Sequence, residues 1–277
     1  MKGAATISAV RTAFITGCGR SGTTILGQML GRRGDVSYLN DRFDLWADFP
    51  EADIWGKHHA EMPAGARVSL GREDATRDAD ARERFVRGLE RHRAGRAVLI
   101  EKLAINNFRH GFLLGLVPDA AIINIVRHGV EVAFSIQERA RAGRWYGVGD
   151  RKWLLLEQHA REVGLGGLLE LCRTPFERGL LEWRLSVDAA DAWRAGASGA
   201  RFLRVRYEAL LADPLATCDA LDEFLGLPSS EEMRAFAASS LSRRSPAAAE
   251  RDVPETTEVI AGDALRRLAY WPTGGGR

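Results

Sequence analysis

The chain has 277 residues, 45% hydrophobic and 27% charged, enough apolar side chain for one large α/β domain and incompatible with disorder, a collagen-like repeat or a disulfide scaffold. Its 39 basic and 37 acidic residues leave a formal net charge of +2, which argues neither for wholesale nucleic-acid binding nor for a polyacidic tail. Cys18, Cys172 and Cys218 lie far apart without C-x-x-C spacing, so neither a zinc site nor a disulfide framework is supported and a reducing cytoplasm is the expected location. In chain order, residues 11–16 (RTAFIT) form a short β-favouring run that ends in Gly17, and helical spacing through Ile25, Leu26, Met29 and Leu30 follows Gly22. That pattern predicts strand, glycine loop, helix. Residues 40–75 read as irregular and rich in Asp, Trp and Pro, and 76–94 as an exposed, charge-laced helix.

Residues 97–101 (AVLIE) predict a buried strand followed by a helical stretch to about Leu116, and 121–126 (AIINIV) the clearest strand of all. A helix is expected over 130–140, then an aromatic, glycine-bearing loop at 141–150, and helices over 151–163 and 179–195. Residues 201–206 (RFLRVR) read as a fourth strand, and Pro214 opens a helix that stops at Gly226 and Pro228. Beyond Ser239 the chain reads as looser, with an irregular tail at about 245–277. Strands alternating with helices predict a single α/β domain over 1–277, its central, mainly parallel sheet flanked by helices and its ligands at the carboxyl ends of the strands. No stretch is long and apolar enough to span a bilayer, so no membrane partner is expected.

The loop Gly17-Cys18-Gly19-Arg20-Ser21-Gly22-Thr23-Thr24 lies between a predicted strand and a predicted helix. Successive backbone N–H groups and a helix N-terminus converge there, which makes a cradle for phosphate or sulfate. Its spacing fits G-x-x-x-x-G-K-[ST] except that Thr23 stands where the phosphate-reaching lysine belongs, which counts against an ordinary ATPase or kinase. A cation is present instead as Arg20. Arg127 ends the clearest strand and Ser135 follows eight residues later on the next helix. If that strand neighbours the first, both come to the edge that carries the glycine loop and could hold a second phosphate. Taken singly, Arg127 also reads as a surface ion pair and Ser135 as an ordinary helix position.

GCGRSGTTILGQML, followed about a hundred residues later by IINIVRHGVEVAFS, resembles the two nucleotide-binding signatures of the sulfotransferases that use 3′-phosphoadenosine 5′-phosphosulfate. VRYEALLADPLATCDALDEFLGLP at 205–228 is similar to the family's C-terminal strand-helix element. The resemblance implies a P-loop-like sulfotransferase fold, this donor with adenosine 3′,5′-bisphosphate as product, no metal, and a small-molecule, carbohydrate or specialised-metabolite hydroxyl as acceptor. It also implies that Gly19, Arg20, Ser21, Gly22, Thr23 and Thr24 embrace the 5′-phosphosulfate and that Arg127 and Ser135 bind the 3′-phosphate. Arginine at position 20 resembles the bacterial and the carbohydrate or tyrosyl-protein branches rather than the lysine-bearing cytosolic one. In YLNDRFDLW, Asp41 stands where a glutamate commonly serves as base, one methylene longer. Lys102, in EKLAINNFRH, resembles a lysine near the active centre. The cytosolic branch's R-K-G signature is absent, and Arg243 and Arg244 in LSRRSP are its candidate substitute.

Sulfuryl transfer needs a base at the acceptor hydroxyl and cations with N–H donors at the leaving phosphate. Arg20 and the helix N-terminus meet the second need. For the base, Asp41 competes with a role as helix cap or loop turn, His58 and His59 with exposed loop positions, and His128 with a place beside the nucleotide. Lys102 reads equally as a surface lysine, and Glu101 as a structural ion pair with Lys102 or an arginine. Trp46, Trp55, Trp145, Tyr146 and Trp153 are candidates for an acceptor pocket or for ordinary core. The arginines of 139–153 suit an anionic acceptor, a lid or a solvated loop, and Cys18 reads as a small residue tolerated in the loop or as a point of sensitivity to thiol reagents. Rival readings are a P-loop nucleotide kinase or NTPase, opposed by Thr23, and a non-catalytic nucleotide-binding protein that keeps the cradle without the base.

Overall fold

The computed structural model describes residues 10–197, 199–241 and 252–271. The apolar run TAFIT forms β1 (Thr12–Thr16), fully buried along its length. The chain continues with α1 (Thr23–Leu30), β2 (Val36–Asn40), α2 (Arg72–Arg77), α3 (Ala79–Arg93), β3 (Val98–Lys102), α4 (His110–Leu116), β4 (Ala121–Val126), α5 (Gly129–Arg141), α6 (Arg151–Glu162) and α7 (Pro175–Gly196). It ends with β5 (Phe202–Arg206), α8 (Tyr207–Ala212), α9 (Pro214–Leu225), α10 (Glu231–Ser240) and α11 (Thr256–Arg267). The five strands pair in the order β2-β3-β1-β4-β5, all parallel. β1, β3 and β4 are buried at every residue, because helices cover both faces of the sheet and water reaches neither.

Alternation along the strands splits the core in two. Ala13, Ile15, Ile100 and Ile123 face one layer, packed with Leu26 and Met29 of α1, Leu210 of α8, Leu221 of α9 and Met233 of α10. Phe14, Leu99 and Ile122 face the other, with Phe85 of α3, Phe112 of α4, Ile136 of α5, Leu156 of α6, Leu181 of α7 and Leu265 of α11. The expected single α/β domain with a central parallel sheet is therefore what the chain forms. Among the described residues, no helix is long and apolar enough to cross a membrane.

Several boundaries differ from the sequence reading. β2 is a fifth strand, absent from that reading because Val-Ser-Tyr-Leu-Asn is half polar, as suits a sheet edge. The helix expected over 76–94 is broken at Asp78, whose extended backbone ends α2 and whose carboxylate accepts from Ala81 N to start α3. α7 begins at Pro175 rather than 179, with Pro at its first position and the Glu177 carboxylate accepting from Thr174 N at 2.7 Å. The tail expected to be irregular at about 245–277 contains α11, whose Ile260, Ala261, Ala264 and Leu265 recur at helical spacing and are fully buried. Arg243 and Arg244 lie outside the described residues.

Candidate active site

The glycine loop leaves β1 along a path that only small residues can follow. Gly17 has φ +147° and a Cβ there would stand 2.3 Å from the Ile125 carbonyl oxygen, while Gly22 has φ +100° with the Tyr207 ring in the way. Ser21 N–H donates to Cys18 O at 3.1 Å, closing the turn. α1 then starts at Thr23 with no side-chain cap, so its first N–H groups point out of the helix unsatisfied, the arrangement that draws an anion. Ser21 is 1% exposed and its Oγ has no hydrogen-bond partner. A buried hydroxyl left this way at the head of a helix fits an anion as its missing partner.

Arg20 takes a left-handed φ of +72°, a conformation that L side chains adopt at a cost and that here aims the guanidinium across the loop. Its Nε donates to Ser135 Oγ on α5 at 3.0 Å. Arg127, which follows β4, donates to Arg20 O at 3.3 Å, lies 3.4 Å from Glu131 and stacks 4.7 Å from the centre of the Tyr207 ring. Burial, with Arg139 and Arg127 close by, draws the Arg20 guanidinium below its ordinary pKa, as expected where cations gather without enough counter-charge. Pairing of β4 with β1 is what brings Arg127 and Ser135 to the loop. His128 caps α5, its Nδ1 accepting from Val130 N at 3.2 Å and its own N–H donating to Glu208 at 2.9 Å.

A cleft of about 760 Å³ runs from Gly19, Arg20, Thr23 and Thr24 to the end of β2. Asp41 stands on its wall with φ +50°, a turn residue whose N–H donates to Lys102 O at 2.9 Å. Its carboxylate, 40% exposed, accepts from Lys102 Nζ at 2.9 Å, and Lys102 is buried to 3% rather than lying on the surface. Glu101 points the other way, as strand alternation requires. The ion pair expected there is replaced by neutral donors, Trp46 Nε1 at 3.3 Å and Asn106 Nδ2 at 3.1 Å, and burial pushes its carboxyl up to about 8.

His58 and His59 are not on the cleft wall. The Asp53 carboxylate accepts the N–H groups of Lys57, His58 and His59, and His59 Nδ1 lies 3.2 Å from it. His58 Nε2 donates to Phe43 O at 2.8 Å. This turn sends Trp55, Gly56 and Lys57 to the cleft instead. Of the candidate aromatic residues, Trp55 and Trp145 line the cleft, whereas Trp46, Tyr146 and Trp153 belong to the core at 3–5% exposure.

One feature of the cleft has no counterpart in the sequence reading. Lys152 Nζ and Glu182 Oε1 lie 2.6 Å apart with both side chains 4% exposed, and Trp145 Nε1 donates to Glu182 at 2.8 Å. Lys152 also stands 4.1 Å from the centre of the Trp145 ring. That ring is pressed on the glycine loop, where a Cβ on Gly19 would come within 2.4 Å of it. The residues come from a loop and two helices, α6 and α7, and no short spacing signals them. Cys18, buried beside this pair, has its thiol pushed well up by burial and by Glu182, which disfavours the thiolate, the reactive form. Among the described residues, no group of three or more His, Cys, Asp or Glu is placed to share a metal ion.

The solved structures similar to this chain include a sulfotransferase domain from the curacin biosynthetic pathway, with 16% identity, coverage of 93% of this chain and 98% of the other, and a TM-score of 0.52. They also include a sulfotransferase from Alicyclobacillus acidocaldarius (18% identity, 95% and 96% coverage, TM-score 0.52) and the sulfotransferase domain of the Synechococcus PCC 7002 olefin synthase (17%, 97% and 98%, 0.54). At such identities the likeness establishes the fold. No curated protein sequence matches the chain. The description "Sulfotransferase family" matches residues 13–231, from β1 and its glycine loop through the β4–α5 arginine and serine to the start of α10, and on that span the chain belongs to the sulfotransferase family.

Proposed function

We propose that the protein transfers a sulfuryl group from 3′-phosphoadenosine 5′-phosphosulfate to a hydroxyl of a small-molecule, carbohydrate or specialised-metabolite acceptor, in the cytoplasm and without a metal. The observation that carries this reading is the 3.0 Å contact between Arg20 and Ser135, with Arg127 on the Arg20 carbonyl: two anion-binding elements 115 residues apart meet at one sheet edge. A single phosphate needs only the loop; a donor with separate 3′ and 5′ anions engages both elements. The unpartnered Ser21 Oγ and the open N-terminus of α1 fit the 5′ end.

When bound, the donor supplies the sulfuryl group and a bisphosphate leaving group. Gly19, Arg20, Ser21, Gly22, Thr23 and Thr24 hold its 5′ end, and Arg127 and Ser135 its 3′-phosphate. Arg20 counters the charge that develops on the leaving side, where a placed cation acts mainly on the transition state. Across the cleft, Asp41 accepts the proton of the acceptor hydroxyl, and Lys102 holds that carboxylate in place through its 2.9 Å bond. Arg20 resembles the bacterial, arginine-bearing branch in this respect.

Calorimetric titration tests the reading, using adenosine 3′,5′-bisphosphate, AMP and magnesium-ATP in parallel. Micromolar or tighter binding of the bisphosphate, lost in AMP, is expected; preference for magnesium-ATP would overturn the donor assignment. Turnover is expected to persist in excess EDTA.

A further inference from the structure

A second cavity, of about 580 Å³, adjoins the cleft, and Phe108 lines both. Phe108 ends the short 3-10 turn Ala104–Phe108 and is 6% exposed, its ring edge-on to His159 at 5.5 Å between centres. The volume lies within the range that takes drug-sized ligands. Much of the wall is apolar, with Leu70, Leu165, Leu185, Ala192 and Trp193.

Its polar groups carry no net charge. Arg184 and Asp188, the only Lys, Arg, Asp or Glu on the wall, bond to each other at 2.5 Å. His110 stacks on Trp193 at 4.9 Å and binds Thr16 Oγ1 at 3.1 Å; burial draws its ring strongly toward the neutral form and lowers His159 in the same sense. His159 is 8% exposed and its Nδ1 has no hydrogen-bond partner, Glu162 standing 3.7 Å away. A wall that is largely apolar and carries no net charge suits a mainly hydrocarbon ligand better than an anion such as the sulfuryl donor.

We infer that this cavity takes the hydrocarbon part of the acceptor, an alkyl chain or fused ring that passes Phe108 while its hydroxyl sits at Asp41. The acceptor class is therefore an alcohol with a substantial apolar body. This inference rests on the proposed function for the word acceptor, whereas the cavity is testable without turnover.

The full chain is titrated calorimetrically with butan-1-ol, hexan-1-ol and octan-1-ol, with and without saturating adenosine 3′,5′-bisphosphate. Affinity should rise about fourfold per methylene. Leu185→Trp inside the cavity, where Leu185 is 1% exposed, and Val163→Trp at its rim, where Val163 is 49% exposed, should each flatten the series and leave bisphosphate affinity unchanged. The rim variant keeps the test decisive where the interior one fails to fold. A flat series in the unmodified protein, or a slope that survives Val163→Trp, overturns the cavity. Continuity with the cleft is read from turnover: Phe108→Ala should change kcat/KM for octan-1-ol relative to ethanol by about tenfold, and an unchanged ratio overturns the assignment to the acceptor. Loss of bisphosphate binding alongside an intact chain-length series would refute the donor reading and uphold the cavity.

Discussion

The two ends of the cleft are made in different ways. At the end proposed to take the donor, the binding groups are largely main chain: a loop whose glycines admit Ile125 and Tyr207, the open start of α1, and two side chains placed by the pairing of β1 with β4. At the end proposed for the acceptor it is largely side chain, from Asp41 just after the edge strand β2, Lys102 of β3, the 53–59 turn, the 141–150 loop and helices α6 and α7. Main-chain recognition constrains sequence tightly and locally, because few residues tolerate the required dihedrals. Side-chain recognition spreads over the fold, and its partners need share no spacing at all.

If the division is real, variants at the acceptor end should reduce turnover or stability without touching bisphosphate affinity, and donor-end variants should change that affinity. The largest effect is expected from Asp41→Asn, which keeps the shape but removes the proton acceptor: kcat should fall by about 10²–10⁴-fold with the bisphosphate Kd unchanged in calorimetry. Lys152→Met leaves Glu182 buried and unpaired, a change that typically costs about 3–5 kcal/mol of stability. Urea melts should show it, and Lys152→Met combined with Glu182→Leu should recover much of the loss. Arg20→Ala should cost about 10²–10³-fold in kcat and also weaken the bisphosphate by about tenfold or more; an unchanged Kd would break the division.

The smallest effect concerns pH. Glu101 is held protonated up to about 8 against an ordinary value of 4.5, so between these values the folded chain binds more protons than the unfolded and stability falls as pH rises. His110, drawn from 6.5 to about 3, works in the opposite sense over its own window, where stability is lost as pH falls. Between pH 6.5 and 8 Glu101 therefore acts without it. Urea melts should show the unmodified protein losing stability across that interval and Glu101→Gln losing markedly less; equal slopes would contradict the assignment.

The same division governs what could be read from the sequence. Arg20, Ser21 and the flanking glycines were legible because loop, strand and helix are contiguous, and Arg127 and Ser135 because one strand places both. Asp41 and Lys102 were legible only through resemblance, their 61-residue separation carrying no local pattern. β2 escaped notice since an edge strand need not be apolar on both faces, and α11 because its apolar residues gain meaning only against α7. Lys152 and Glu182 stand 30 residues apart on two helices with no shared spacing, and that they face each other is decided by how α6 and α7 pack. The histidines failed as cleft residues for a local reason, the Asp53 carboxylate gathering their N–H groups into a turn.

The sheet order has a consequence for how the chain is made. β1 is the central strand, yet its partners β3 and β4 come much later in the chain, Thr16 lying opposite Asn124, 108 residues on. At about 5–20 residues per second, a ribosome emits β1 roughly 5–20 seconds before β4 exists to receive it. Until β3 and then β4 follow, TAFIT is an apolar segment of the nascent chain short of its partners, the kind that chaperones hold. The anion cradle, though its loop is encoded early, thus takes shape only once β4 has followed it.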